Sequence, residues 1–290
     1  MGAWGVGLYA GDFARDLRPM VGALARLPVN GDRLTELACE RFAETASNPR
    51  DEDHTIFWLV LADQCAQRHI DAPEARRRAL EIIDTGADIA VHRELDMTEG
   101  DLRKRAIMLA ALRPKLATPV DEAQRRGVLR RPQPFLMALG DCLVFPTSRG
   151  KGINSYFPSR AADRTFQQDG WGAGVVCALG RAFSYLAWYR LGVLDETFPD
   201  RPDIARIRGG RFGPGLSAGT CSPTHFKRME LAKIGSLPVV EGAILRAVPE
   251  LVGQVRSPET AAILDVSLCN NLRAGDGTFQ GPLVTAVLGG

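Results

Sequence analysis

Gly140-Asp-Cys-Leu-Val-Phe145 and Trp171-Gly-Ala-Gly-Val-Val-Cys-Ala-Leu179 decide how this chain is read. Each is a short apolar run bounded by glycine or polar residues, the pattern of a strand. Between them lie a basic loop, Ser148-Arg-Gly-Lys-Gly152, and a polar insert from Ile153 to Gly170. The pair therefore reads as two strands joined by a decorated hairpin. Just upstream, two arginine pairs (Arg125-Arg126 and Arg130-Arg131) with Pro132 and Pro134 close off a stretch of different period.

Before that joint the apolar residues recur every three or four positions, the spacing of helix faces. Phe13, Leu17, Met20, Val21, Leu24 and Leu27 form one face, with Pro19 marking a kink or restart and Asp16 a possible cap. A second helix is expected from Asp32 to Ala46. The run Ile56-Phe-Trp-Leu-Val-Leu-Ala62 is apolar all round, as suits a central helix. A fourth helix starts at Asp71-Ala-Pro73 and stops at Gly86. A fifth starts at Thr98-Glu-Gly-Asp101, which resembles a capping box, and turns Leu102, Ala106, Leu109 and Leu112 inward with Arg103, Lys104 and Arg105 outward.

After Pro119 the period changes. Strands are expected over Leu143 to Phe145, Gly174 to Leu179, Phe183 to Tyr189 and Val239 to Leu245, with a glycine-rich loop from Gly209 to Gly215. A last helix spans Pro258 to Cys269, and the end from Ala274 to Gly290 reads as poorly specified. The fold class is α+β: a helical domain over residues 1–125, then a small β barrel-like domain over 135–290 with insertions and a C-terminal helix.

With 290 residues, 45% hydrophobic and 24% charged, the chain is long enough for two cores. No apolar run approaches the roughly 20 residues of a bilayer-spanning helix, and no secretory leader pattern opens the chain. A cytoplasmic location with no membrane association is expected. Residues 1–100 hold 11 Lys/Arg against 18 Asp/Glu, residues 101–131 hold 9 against 3, and the remainder 16 against 13. The basic joint either docks on the acidic helices beside it or meets nucleic acid.

The opening Met1-Gly-Ala-Trp-Gly5, with Asp12 and Asp16, the Phe57-Trp58 helix, Ile82-Ile83 before Gly86-Ala87-Asp88, and Gly140-Asp-Cys-Leu143 resemble a family of uncharacterised bacterial proteins beginning MGAWG. That resemblance spans most of residues 1–180 and implies a helical domain followed by a small β domain. The Gly-Asp strand, basic turn and Gly-x-Gly-Val-Val strand are also similar to SH3-like-barrel immunity proteins of bacterial toxin systems. What this implies is a protein-binding module that neutralises a toxin by surface occlusion. The chain departs from the pattern at the insert 153–170 and beyond Arg206.

Catalytic candidates are thin. Gly215-Leu-Ser-Ala-Gly219 spells G-x-S-x-G, but an elbow serine needs a strand before it and a helix after it, and no acid separates Ser217 from His225. Ser217 or Cys221 with His225 is kept as an alternative, a hydrolase or acyl-transfer enzyme. Cys142 and Cys177 read as buried thiols, and His54, His69 and His92 as surface or capping residues. No CxxC or HExxH occurs, so neither metal nor cofactor is expected. Arg149-Gly-Lys-Gly152 is not a Walker loop, because Gly152 stands where Ser or Thr is required. As a basic hairpin tip with Tyr156 and Trp171 close by, Arg149 and Lys151 make either a solvated turn or a binding surface for a protein partner or, as a second alternative, nucleic acid.

Overall fold

The computed structural model describes residues 5–120, 126–154, 157–247, 258, 268, 272–279 and 281–289. Trp4, Arg125, Tyr156, Cys269 and most of the expected helix 258–269 lie outside the described residues. These residues form two compact units, the first reaching Arg130 and the second holding the described residues from Arg131 on. The chain is α+β, helices first and sheet second.

The helical unit contains α1 (Asp12–Leu24), α2 (Gly31–Arg41), α3 (Ala43–Ser47), α4 (His54–Gln67), α5 (Pro73–Thr85), α6 (Ala87–Glu94) and α7 (Glu99–Ala117). The middle of α4 is buried on every side, as its unbroken apolar run requires. Pro19 does not restart the helix at Asp16; α1 runs through it, with Ala14, Leu17, Met20, Val21 and Leu24 all buried on one face. Gly86 ends α5 in the left-handed conformation, φ 70°. Thr98 caps α7, its Oγ1 accepting from Asp101 N at 3.2 Å. Two expectations fail on α7: Arg105 is buried and Ala106 exposed. Arg105 goes inward because Asp88 on α6 waits there as a counter-charge, with Arg105 Nε 2.5 Å from Asp88 Oδ2.

The sheet unit is built from β1 (Asp141–Ser148), β2 (Lys151–Gly152), β3 (Gly170–Ala182), β4 (Leu186–Leu194), β5 (Phe212–Thr220) and β6 (Ala232–Ser236). Its order is β2-β1-β3-β4-β5, all antiparallel, with β6 on the other stretch of β1. Where a small barrel-like domain was expected the sheet is open, since no pairing among the described residues joins β5 to β6 or β2. Strand alternation splits the core in two. Leu143, Phe145, Val176, Tyr189 and Leu191 fill one face, and Cys142, Val144, Val175, Cys177 and Phe212 the other. Both faces are covered, which is why the strands read as continuous apolar runs.

Three expectations need correction here. The Gly209–Gly215 loop is the end of a short helix, α8 (Ile204–Gly209), followed by the first half of β5. Val239 to Leu245 is no strand; it makes one isolated bridge and enters a short helix, which follows α9 (Pro223–Arg228) and is thus α10 (Ala243–Ala247). The C-terminal stretch is a packed strap. Ala274 N donates to Gly150 O, Gly275 N to Leu194 O and Val284 N to Gly210 O, and Val284 and Val287 are fully buried.

Hydrogen bonding changes sides at the joint. Leu129 N donates to Arg26 O at 2.8 Å, whereas Gln133 N donates to Tyr185 O at 2.9 Å. Arg130 and Arg131 between them are exposed. Trypsin is expected to cut the native chain first at Arg130-Arg131; first cuts within residues 50–110 would contradict this boundary.

Candidate functional site

The β1–β2 turn, the ends of β4 and β5, and the strap from Arg273 to Phe279 enclose a cleft of about 900 Å³. Arg149 stands at its lip with a left-handed backbone, φ 52°, a strained state for a residue with a side chain. Asp169 holds it there: Arg149 N donates to Asp169 Oδ2 at 2.6 Å. Lys151 pairs opposite Arg273, so the strap sets a second arginine beside the hairpin. Across the cleft Asp195 is 4% exposed and accepts from Phe279 N at 2.6 Å. Asp276 accepts from Thr278 N and Oγ1, at 3.1 and 2.5 Å.

The two carboxyls are pushed in opposite directions. Burial raises Asp195 above the ordinary carboxylate range, with the charge of Asp276 adding and the Phe279 N–H opposing. The Thr278 hydroxyl, its N–H and nearby Arg273 hold Asp276 below that range.

Of the residues expected from sequence, Arg149 and Ser217 both line this cleft. Lys151 is exposed beside it on β2. Trp171 is half-buried at the start of β3, packed against one core, with the Arg201 guanidinium 5.8 Å from its ring centre. Tyr156 lies outside the described residues. Ser217 is mid-strand in β5, opposite Leu191, so the G-x-S-x-G stretch is neither an elbow nor a flexible loop. Cys221 is buried in the core with Met229 and Leu231, and His225 is in the first turn of α9, where its N–H donates to Ser222 Oγ at 3.1 Å. Neither lines the cleft.

No family model, no curated protein and no solved structure matches this chain.

Sequence reasoning missed Asp169, Asp195, Arg273 and Asp276. They come from three separate stretches, and no motif links them. Among the described residues no group of three or more His, Cys, Asp or Glu side chains could hold a metal ion, and no helix is long and apolar enough to cross a membrane.

The free thiols answer to burial. It pushes Cys65 and Cys177 up to about 12 and Cys39 and Cys142 up to about 11. Cys39, only half-buried, is expected to take a thiol reagent ahead of the other four free thiols. Rapid native labelling of Cys142 or Cys177 would overturn their assignment as packing residues.

The helical unit has its own smaller cavity, about 190 Å³, lined in part by Glu52, Asp53, His92 and Arg105. Burial, then Asp51 and Glu52, push the Asp53 carboxyl up to about 6. The folded protein thus binds this proton more tightly than the unfolded chain. Stability contributed by the protonated form is present below about pH 4 and lost as pH rises towards 6. Asp53→Asn is expected to raise the melting temperature at pH 7–8 and change it little at pH 4; an equal shift at both would remove the carboxyl from this role.

Proposed function

We propose that this protein is a binding module whose sheet unit occludes an acidic surface of a protein partner, in the manner of the toxin-neutralising immunity proteins its second half resembles. One observation carries the reading. Arg149 and Lys151 on the hairpin and Arg273 on the strap are three exposed cations from distant stretches, gathered on one side of the cleft. None has an ion-pair partner among the described residues. Such a cluster does little for stability, yet it steers an acidic partner and sets its register.

The test compares wild type with Arg149→Glu/Lys151→Glu/Arg273→Glu in capturing partners from the native cell extract. A partner whose association slows at least about tenfold in the variant, and slows with added salt in wild type, is the expected result. Equal binding by the folded variant would move the interface elsewhere.

Asp195 and Asp276 favour a second reading, an enzyme of the hydrolase class. One carboxyl pushed up by burial and one pulled down by hydrogen bonds, in a single cleft, are the parts of an acid–base pair. This differs from a Ser217 or Cys221 nucleophile, which the strand setting and core burial of those residues do not favour. Hydrolysis lost in Asp276→Asn, with folding intact, would support it. Nucleic-acid binding draws less from the geometry, because three of the nine cations of the basic joint are paired within the helical unit. Lys104 pairs with Asp101, Arg105 with Asp88 and Arg113 with Asp84.

A further inference from the structure

Side chains alternate along β4. Ala187, Tyr189, Leu191 and Val193 enter one core, so Trp188 and Arg190 face the other way, where they meet a separate small cluster. The register places Ala178 of β3 and Ala218 of β5 on either side of Arg190, and Gly180 and Thr220 beside Trp188. Arg190 keeps 7% of its surface exposed and Trp188 3%. The guanidinium lies over the indole, its central carbon 5.0 Å from the ring centre.

Both side chains are donors, and among the described residues neither has an acceptor. The Trp188 Nε1–H is buried without a hydrogen bond. Arg190 makes no hydrogen bond and no ion pair among the described residues. Its strand neighbours Ala178 and Ala218 offer only methyl groups. Among the described residues the one titratable group that acts on it is the Cys177 thiol, which burial pushes up to about 12 and so keeps neutral. An arginine stays protonated at any physiological pH, so a full positive charge sits at a nearly closed site without a counter-charge among the described residues. Folding stability does not account for it, since a buried cation is favourable only when paired.

We propose that Arg190 and Trp188 form the donor wall of a buried oxyanion site, which takes a single carboxylate or phosphate group. One ligand oxygen accepts from the guanidinium edge and another from the indole N–H, while the ring face below supports the cation. Arginine suits this better than lysine because its planar fork meets two oxygens at once. Ala178 and Ala218 on the flanking strands place nothing larger than a methyl group beside Arg190. This site lies on the sheet face opposite Val193, which lines the cleft, and does not depend on the function proposed for the cleft.

The test uses the full ¹⁵N-labelled chain. Its four tryptophans give four indole N–H signals, and Trp188→Phe identifies the one that matters. Inorganic phosphate and acetate are titrated in turn, with chloride at matched ionic strength as the control. The expected result is a saturable downfield shift of the Trp188 signal alone. Arg190→Met is expected to weaken the apparent affinity at least about tenfold, with Arg190→Lys in between. Tighter binding of phosphate than acetate assigns a phosphoryl ligand, and the reverse a carboxylate. A Trp188 signal that stays still, follows chloride equally, or shifts as strongly in a folded Arg190→Met protein overturns the proposal. If Arg190→Met does not fold, the wild-type titration and Arg190→Lys decide it by the same criteria.

Discussion

Arg105→Met is expected to destabilise the helical unit by about 3–5 kcal/mol, because it strands a carboxylate that has no route to water. Asp88 is fully buried. It accepts from Arg105 Nε at 2.5 Å and Nη2 at 3.0 Å, and from Thr55 Oγ1 at 3.1 Å. Arg105 also donates through Nη1 to Val6 O at 3.3 Å, fastening the segment ahead of α1. Methionine fills much of the same volume, so the loss reports the charge and the hydrogen bonds rather than a cavity. Unfolding in urea, followed by helical circular dichroism, measures it. Asp88→Asn in the same chain should recover part of the loss, a coupling that two independent sites would not show. Histidine adds a signature. His92 Nδ1 lies 3.7 Å from Asp88 Oδ1, and burial, with the Arg105 charge adding, holds its imidazole below the ordinary value. Its wild-type contribution is therefore lost as pH falls below about 6.5. With Arg105 gone, a protonated His92 becomes the only cation beside Asp88 among the described residues, and the penalty should be smaller at pH 5.5 than at pH 8. A loss under about 1 kcal/mol would mean that the pair is solvated.

That ion pair also marks where sequence reading stops. The α4 run, the Thr98 cap and the Gly86 stop were legible because each is local: periodicity, side-chain chemistry and backbone freedom within a few residues. Arg105 was not, since a charge is assigned to water unless its partner is known, and Asp88 lies on a neighbouring helix too short to give a period. The strand pair around Val144 and Val175 was visible because both sheet faces are buried. β5 was not, because Gly213-Pro-Gly215 looks like a loop; as the outer neighbour of β4 it tolerates a missing N–H and weak propensity. The β3–β4 turn hid likewise, with Phe183 and Ser184 both at positive φ where Asn-Gly would have announced it. Arg149 and Ser217 were singled out for different reasons, a basic turn and a look-alike motif, and only the strap shows them to share a cleft.

Gly275→Ala is expected to unseat that strap, destabilising the sheet unit by about 1–3 kcal/mol and removing the cleft's shape. A Cβ at this position would stand 1.8 Å from Asp195 Oδ1 and 2.8 Å from its Cα. Asp195 has nowhere to retreat: its N–H donates to Arg211 O at 2.9 Å, and its Oδ2 holds Phe279 N. The strap must lift, breaking the bond from Gly275 N to Leu194 O and carrying Arg273 away from the hairpin. Asp195 then regains water, and its carboxyl returns towards the ordinary range. In wild type its raised value means that ionisation opposes folding as pH climbs through the window between the unfolded and folded values. Rehydration in the variant should flatten that slope. Thermal unfolding across pH reads both effects, and any partner found for the cleft should lose affinity with them. Shortening the obstacle gives the decisive comparison. If Asp195→Ala relieves the clash, the double variant will be destabilised by less than the sum of the singles. Simple additivity would show that Gly275 is needed for its own backbone and not for the approach of Asp195.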